Sequence, residues 1–289
     1  MATLRDIRRK IGAVKKTQQI TKAMNMVSAA KLRGAQLRME GFRPYAQAFS
    51  MMLGNIAGRV EPEIHPFFTQ AADVTRVGLV LMTADRGLCG SFNVNLINQA
   101  VKFIREKEAA GLEVSLTCVG RKGRDFFRRR KREMLAQYVD VWNKFDFSNA
   151  VAVAREIMSA FLSGAVQEVH LIHSTFINMA VQRPTLVQLL PIQPGAAAAE
   201  AAGVEYLFEP PMEQFLEYLL PKYINVQVYH GFLENSASEY AARMTAMDNA
   251  QSNCKEMITQ LTLVMNKARQ ATITRELMDI VGGAEALRG

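Results

Sequence analysis

Apolar positions recur on a heptad at both ends of the chain. From Tyr240 onward, Met244, Met247, Gln251, Cys254, Ile258, Leu261, Met265, Ala268 and Thr272 alternate steps of four and three, and only Gln251 and Thr272 break the apolar character. Near the start, Leu4, Ile7, Ile11 and Val14 keep the same spacing, and Ile20, Met24 and Val27 resume it after the polar gap Thr17-Gln18-Gln19. A stripe that repeats every 3.5 residues needs another helix to cover it. The nearest cover for one arm is the other, so the pattern predicts an antiparallel two-helix coiled coil. Thr3 with Asp6 makes a capping-box pattern that opens the first helix. Gly41 and Pro44 predict a kink or an end, because proline removes a donor and clashes one turn back. The spacing of Tyr45, Phe49, Met52 and Ile56 then carries helix on to about Gly58.

Between the arms the periodicity changes. Val77–Met82 and Val114–Val119 read as buried strands, Glu168–Ser174 and Val181–Leu190 as two more, with helices over 91–110 and 148–163. Strands alternating with helices predict a mostly parallel sheet with crossovers. Residues 59–73 and 194–203 read as connections, and Pro210-Pro211 as the end of this domain. Met212 to Leu220 then predicts a short helix, Pro221 the first turn of a longer one, and Gly282-Gly283 its stop. Near that stop the seam shifts phase to Ile273, Leu277, Ile280, Ala284 and Leu287, which turns a different face outward. The expected organisation is an N-terminal shaft helix over 1–58, a Rossmann-like α/β domain over 74–208 and a C-terminal shaft helix over 212–289.

Charge sharpens this picture. Residues 1–40 hold ten Lys/Arg against two Asp/Glu, whereas residues 41–221 and 222–289 are balanced, so the whole net charge of +8 sits on the first arm. A basic helix calls for an acidic partner, whether nucleic acid, anionic lipid or protein. Arg8, Arg9, Lys15, Lys16, Lys22, Lys31, Arg33 and Arg38 surround the seam rather than line it, and no aromatics interleave with them. That disfavours the alternative of a basic coiled-coil nucleic-acid-binding protein. No run of 18 apolar residues occurs, the first residues enter the helical pattern directly, and three scattered cysteines (Cys89, Cys118, Cys254) point to a reducing compartment.

Candidate chemistry is sparse. Gly87-Leu88-Cys89-Gly90 and Gly120-Arg121-Lys122-Gly123 each follow a strand, where phosphate loops sit. Neither carries the Gly-Lys-Ser/Thr ending or the dinucleotide glycine spacing, so both read as tight turns and a nucleotide-dependent enzyme is disfavoured. His65, His170, His173 and His230 make no metal-ligand spacing, and no catalytic triad or carboxylate pair stands out. The run Arg128–Arg132 would suit phosphates but reads first as a solvated face.

Several strings carry a family resemblance: Ile273-Thr274-Arg275-Glu276-Leu277-Met278-Asp279-Ile280-Val281-Gly282-Gly283-Ala284-Glu285-Ala286, Asn266–Ala271, Ile20–Met24, and Asp85–Gly90 with Phe92-Asn93. On these the chain resembles the γ subunit of bacterial F-type ATP synthases, end to end. The resemblance implies a central rotor shaft within α3β3, one copy per complex, whose foot binds ε and the c ring. It implies no catalytic residue, no cofactor and no metal, and a peripheral place on the cytoplasmic face of the bacterial plasma membrane. It further implies that Lys22, Met24, Arg269, Gln270, Thr274, Ala284 and Leu287 meet α and β, and that Lys31, Arg33, Glu205, Tyr206 and Glu209 lie toward the c ring and ε. It also implies a helix unbroken at Pro44. The Arg128–Arg132 run and the Ala-rich stretch 196–202 match no family feature.

Overall fold

The computed structural model describes residues 3–58, 61–71, 73–143, 145–193 and 211–286. They form α1 (Leu4–Ala57), β1 (Arg76–Met82), α2 (Phe92–Ala109), β2 (Glu113–Val119), α3 (Arg121–Arg129), β3 (Ala136–Tyr138), α4 (Phe147–Leu162), β4 (Glu168–Phe176), β5 (Gln182–Leu190) and α5 (Met212–Ala286), with single 3₁₀ turns at Pro62–Ile64 and Val141–Asn143. The chain divides into two compact units, Met1–Ser28 with Met244–Gly289, and Ala29–Arg243.

The larger unit is built on a five-stranded sheet of order β3-β2-β1-β4-β5. β1 pairs in parallel with β2 and β4, β2 pairs in parallel with β3, and β5 closes the edge antiparallel to β4. Six consecutive residues of β1 are buried, as expected for a central parallel strand covered on both faces. One face carries Val77, Leu79, Leu81 and Ile172 against Leu96, Ala100 and Phe103 of α2 and Phe127 of α3. The other face receives α5: a Cβ on Gly231 would lie 3.1 Å from Leu171 and 3.4 Å from Met82, so only glycine lets the helix come this close. Here residues 231–239 are buried all round, which makes α5 a core helix rather than an amphipathic one.

The sequence reading missed α3 and β3. Only Gly123 and Phe127 of α3 are buried, and three-residue β3 is half-exposed, so neither shows a periodicity long enough to read. Gly120, at φ +107°, lets the chain turn from β2 into α3; a Cβ there would lie 2.0 Å from the Thr83 carbonyl oxygen.

The chain does not leave the helix at any of three expected boundaries. α1 passes through Pro44, and α5 is one helix from Met212 through Pro221 and past Gly282-Gly283 to Ala286. Around each proline the apolar stripe continues: Met39, Ala46, Phe49 and Leu53 in α1, and Leu216, Leu219, Leu220 and Ile224 in α5, are all buried. Burial of several such side chains, each contributing about 1.5–3 kcal/mol, outweighs the ~3 kcal/mol that an interior proline costs.

The smaller unit pairs the start of α1 with the second half of α5. Along α5 the predicted seam holds as far as Ala268: Met247 is buried and Met244, Gln251, Cys254, Ile258, Leu261, Met265 and Ala268 are half-buried, whereas Thr272, its predicted last position, is exposed. Along α1 it takes another course after Val14. Leu4, Ile7, Ile11, Val14, Gln18, Thr21, Asn25 and Ser28 are covered in an unbroken series of threes and fours; of the predicted positions past the gap Met24 is half-buried beside this series, whereas Ile20 and Val27 are 60% and 57% exposed. The seam keeps its phase by burying small polar residues that satisfy themselves. Thr21 donates to the Gln18 carbonyl (3.0 Å), Ser28 to the Met24 carbonyl (2.7 Å), and Asn25 across to the Met244 carbonyl (2.9 Å). Thr3 and Asp6 form the predicted box: the Asp6 N–H donates to Thr3 Oγ1 (3.3 Å) and the Thr3 N–H to Asp6 Oδ2 (3.2 Å).

Candidate partner interface

In a doubly wound sheet the ligand crevice lies at the carboxyl ends of the strands where strand order reverses, here between β1 and β4. The chain's own helix α5 serves that crevice. β1 pairs with β4 only as far as Ile172. Beyond it, the N–H of Ser174 donates to Asn235 Oδ1 (3.2 Å), the N–H of Phe176 donates to Glu234 Oε2 (2.8 Å), and the Ser174 carbonyl accepts from Ser238 Oγ (3.1 Å). Side chains of a helix thus stand in for a strand. Glu234 also pairs with the Arg43 guanidinium of α1 at 2.7 Å, so α1, β4 and α5 meet at one carboxylate. Burial by itself would raise the Glu234 pKa, but its contacts with His230, Arg43 and the Phe176 N–H outweigh that and hold it at about 2. One turn on, Glu239 is buried against Arg243 at 2.7 Å; desolvation raises its pKa in spite of that partner. The polar run Glu234-Asn235-Ser236 and Ser238-Glu239 was legible in the sequence as polar residues inside an otherwise apolar helix stretch, yet nothing there named their partners.

The two glycine turns interlock. Asn93 Oδ1 accepts from the Ala84 N–H (2.9 Å), Asp85 Oδ1 from the Arg121 N–H (2.9 Å) and Thr83 Oγ1 from the Gly123 N–H (2.9 Å), while Arg243 donates to the Gly87 carbonyl (3.4 Å). The backbone N–H groups of Ala84, Arg121, Lys122 and Gly123 are thus engaged by the chain itself. In the Arg128–Arg132 run, Arg132 pairs with Glu108 (2.8 Å), Arg128 lies 3.7 Å from Asp125, and Arg130 stacks on Phe126 at 3.6 Å. Its core-side role is to hold α3 and the following turn. His170 meets Glu168 at 3.0 Å, and His173 and His230 stand with ring centroids 6.4 Å apart; among the described residues no cluster could hold a metal ion.

The anticipated partner residues are distributed over both units. Lys22 is exposed and Met24 half-buried; Arg269, Gln270, Thr274 and Ala284 are exposed on the last turns of α5; Lys31 and Arg33 are exposed on α1 within the larger unit. Leu287, Glu205, Tyr206 and Glu209 lie outside the described residues, as does the stretch 196–202. Arg8, Arg9, Lys15 and Lys16 are exposed too, and among the described residues of this stretch the one ion pair is the 4.0 Å contact of Arg9 with Asp6.

The end of α5 is uncovered over sixteen consecutive residues, 269–284. With Asn25 beside Met244, antiparallel pairing brings Leu4 opposite about residue 265, and burial along α5 indeed ends at Ala268. From Arg269 to Ala284 every residue is exposed, including Ile273, Leu277, Met278, Ile280 and Val281 at 48% to 68%. A single helix this apolar gains stability only from another molecule's surface.

The family described as ATP synthase matches residues 3–287. The chain is 52% identical over its whole length to the ATP synthase gamma chain of Syntrophobacter fumaroxidans, and 50% identical, again over the full length of both chains, to that of Nitratidesulfovibrio vulgaris. The chain belongs to the ATP synthase gamma chain family. Among solved structures it is similar to a chain of the Tetrahymena thermophila mitochondrial ATP synthase central stalk and c ring, with TM-score 0.62 and 26% identity, covering 80% of this chain and 99% of that one. It also shares the fold of a chain in the Euglena gracilis mitochondrial ATP synthase OSCP, F1 and c-ring assembly in rotational state 3, with TM-score 0.69 and 20% identity, covering 98% and 94%. The expected fold, an α/β domain between long terminal helices, and the family resemblance therefore hold, and the nucleic-acid alternative has no support. Within this family, the string Ile273–Ala286 falls on the uncovered end of α5 and the string Asp85–Asn93 on the interlocked turn.

Proposed function

We propose that the chain is the central shaft of an F-type ATP synthase: a non-catalytic subunit, one copy per complex, that rotates within α3β3 and links c-ring rotation to ATP synthesis and hydrolysis at the β sites. The observation that carries this reading is the apolar, uncovered end of α5 beyond the reach of α1. In the family setting it suits a sleeve formed by the surrounding subunits, with Ala284 and Leu287 at its tip and Arg269, Gln270 and Thr274 below. The exposed, uncompensated basic residues of α1 suit an acidic surface, with Lys22 and Met24 against β. Lys31, Arg33, Glu205, Tyr206 and Glu209 would face ε and the c ring. Torque delivered there would pass along α1 and α5, and the carboxylate of Glu234 would resist slippage of these helices against the sheet. No described helix is long and apolar enough to cross a membrane, which agrees with peripheral attachment at the cytoplasmic face through the complex. No cofactor is needed for such a role.

The test is native mass of the purified chain mixed with F-type α and β subunits, with ATPase activity followed in parallel. One copy per α3β3 with rising ATPase supports the shaft; a chain that stays alone refutes it. Lys22→Glu is expected to lower coupling between rotation and ATP synthesis more than assembly, read as ATP synthesis against complex yield in membrane vesicles.

A further inference from the structure

A cavity of about 400 Å³ opens in the larger unit between α1, the turn that follows β3 and α5. That volume lies in the range of small-molecule sites, about 300–1,000 Å³. Its apolar walls are Trp142, Phe145 and Tyr240, and its charged rim is Lys31 and Arg38. Lys31 Nζ stands 5.5 Å from the Tyr240 ring centroid, and the Arg38 guanidinium 5.1 Å from that of Phe145. Neither cation makes an ion pair among the described residues; the carboxylate acting on Lys31 is that of Glu239, which is already paired with Arg243. Asn143 and Gly34 complete the lining, the latter inside helix α1, where alanine or leucine would favour the helix. A Cβ at Gly34 would meet nothing within 4 Å. Crowding by the protein therefore does not require glycine there; its effect is to leave the cavity open. The Trp142 indole N–H is buried and has no acceptor, an exception among buried donors.

We propose that this cavity binds a small organic carboxylate with an apolar or aromatic body. The carboxylate would lie between Lys31 and Arg38, and the body against the Trp142, Phe145 and Tyr240 rings. The site belongs to the chain itself and does not depend on assembly with α and β.

Trp142 is the sole tryptophan of the chain, so intrinsic fluorescence of the full-length protein reports on the cavity directly. Titration with phenylacetate is expected to shift and saturate its emission. Arg38→Gln should weaken binding by roughly ten- to a hundred-fold, as for loss of a charge-assisted hydrogen bond, and Gly34→Leu should abolish it by filling the space. Circular dichroism melts check that both variants stay folded; Arg38 is exposed, so its variant carries the test if Gly34→Leu does not fold. The proposal is overturned by an absent or non-saturating response or by unchanged affinity in Arg38→Gln. It is equally overturned if benzyl alcohol acts as well as phenylacetate, which means apolar adsorption, or if acetate or phosphate does, which means surface charge alone.

Discussion

Glu234 joins three elements with one carboxylate, and its burial makes that junction costly to damage. Glu234→Gln leaves Arg43 facing an uncharged partner, and removing one member of a buried pair costs about 3–5 kcal/mol; with Arg43 about one-third exposed, a loss near ~3 kcal/mol is expected in urea unfolding. The same site sets a pH dependence. The Glu234 pKa is held at about 2 against an ordinary 4.5, so its contribution is complete above pH 4.5 and lost as pH falls toward 2. Burial, reinforced by neighbouring His230, pushes His173 down to about 4 from 6.5, so the folded state takes up its proton later than the unfolded one and stability declines between those values. His173 and Glu234 should therefore remove stability as pH falls from 7 to 3, opposed by Glu239, whose raised pKa makes the folded state take up that proton first, and Glu234→Gln should flatten the loss below pH 4.5. At Gly120, Gly120→Ala would set a methyl group against the Thr83 carbonyl at a φ that side chains rarely adopt; the expected result is a cooperative melt shifted down by several degrees, or an insoluble product.

The helix pair of the smaller unit has a seam that can be mapped by truncation. Ile7 and Ile11 are buried, so Ile11→Ala should cost about 2–4 kcal/mol, whereas the exposed Ile20→Ala and Val27→Ala should lie within about 0.5 kcal/mol of the parent. Leu261 is half-buried rather than fully covered, so Leu261→Ala should cost about 1–2 kcal/mol, less than a fully buried leucine would. If Ile20→Ala proved as costly as Ile11→Ala, the buried-polar phase of the seam would be wrong.

For the molecule as a whole, the uncovered end of α5 separates folding from assembly. Truncation after Ala268 removes the exposed run 269–284, so the melting temperature of the isolated protein should change by less than about 2 °C while its stimulation of α3β3 ATPase drops. An equal loss of both would show that these last turns stabilise the chain itself.

Periodicity alone determined a good part of this protein. Strand β1, helix α2, strand β2 and the α5 seam from Met244 to Ala268 were legible because burial imposes a repeat of two or 3.5 on residue type over many positions, and the terminal strings carried the family. Tertiary structure alone decided four things. The α1 seam runs through Gln18, Thr21, Asn25 and Ser28, since heptad phase is set by the facing helix and small polar residues can satisfy their own bonds. The helices cross Pro44 and Pro221 because packing on both sides outweighs one lost backbone bond. Glu234, Asn235 and Ser238 finish strand β4, a pairing across some sixty residues that no local pattern encodes. Lys31, Gly34, Arg38 and Trp142 surround one cavity only because α1 and the segment after β3 are brought together by the sheet.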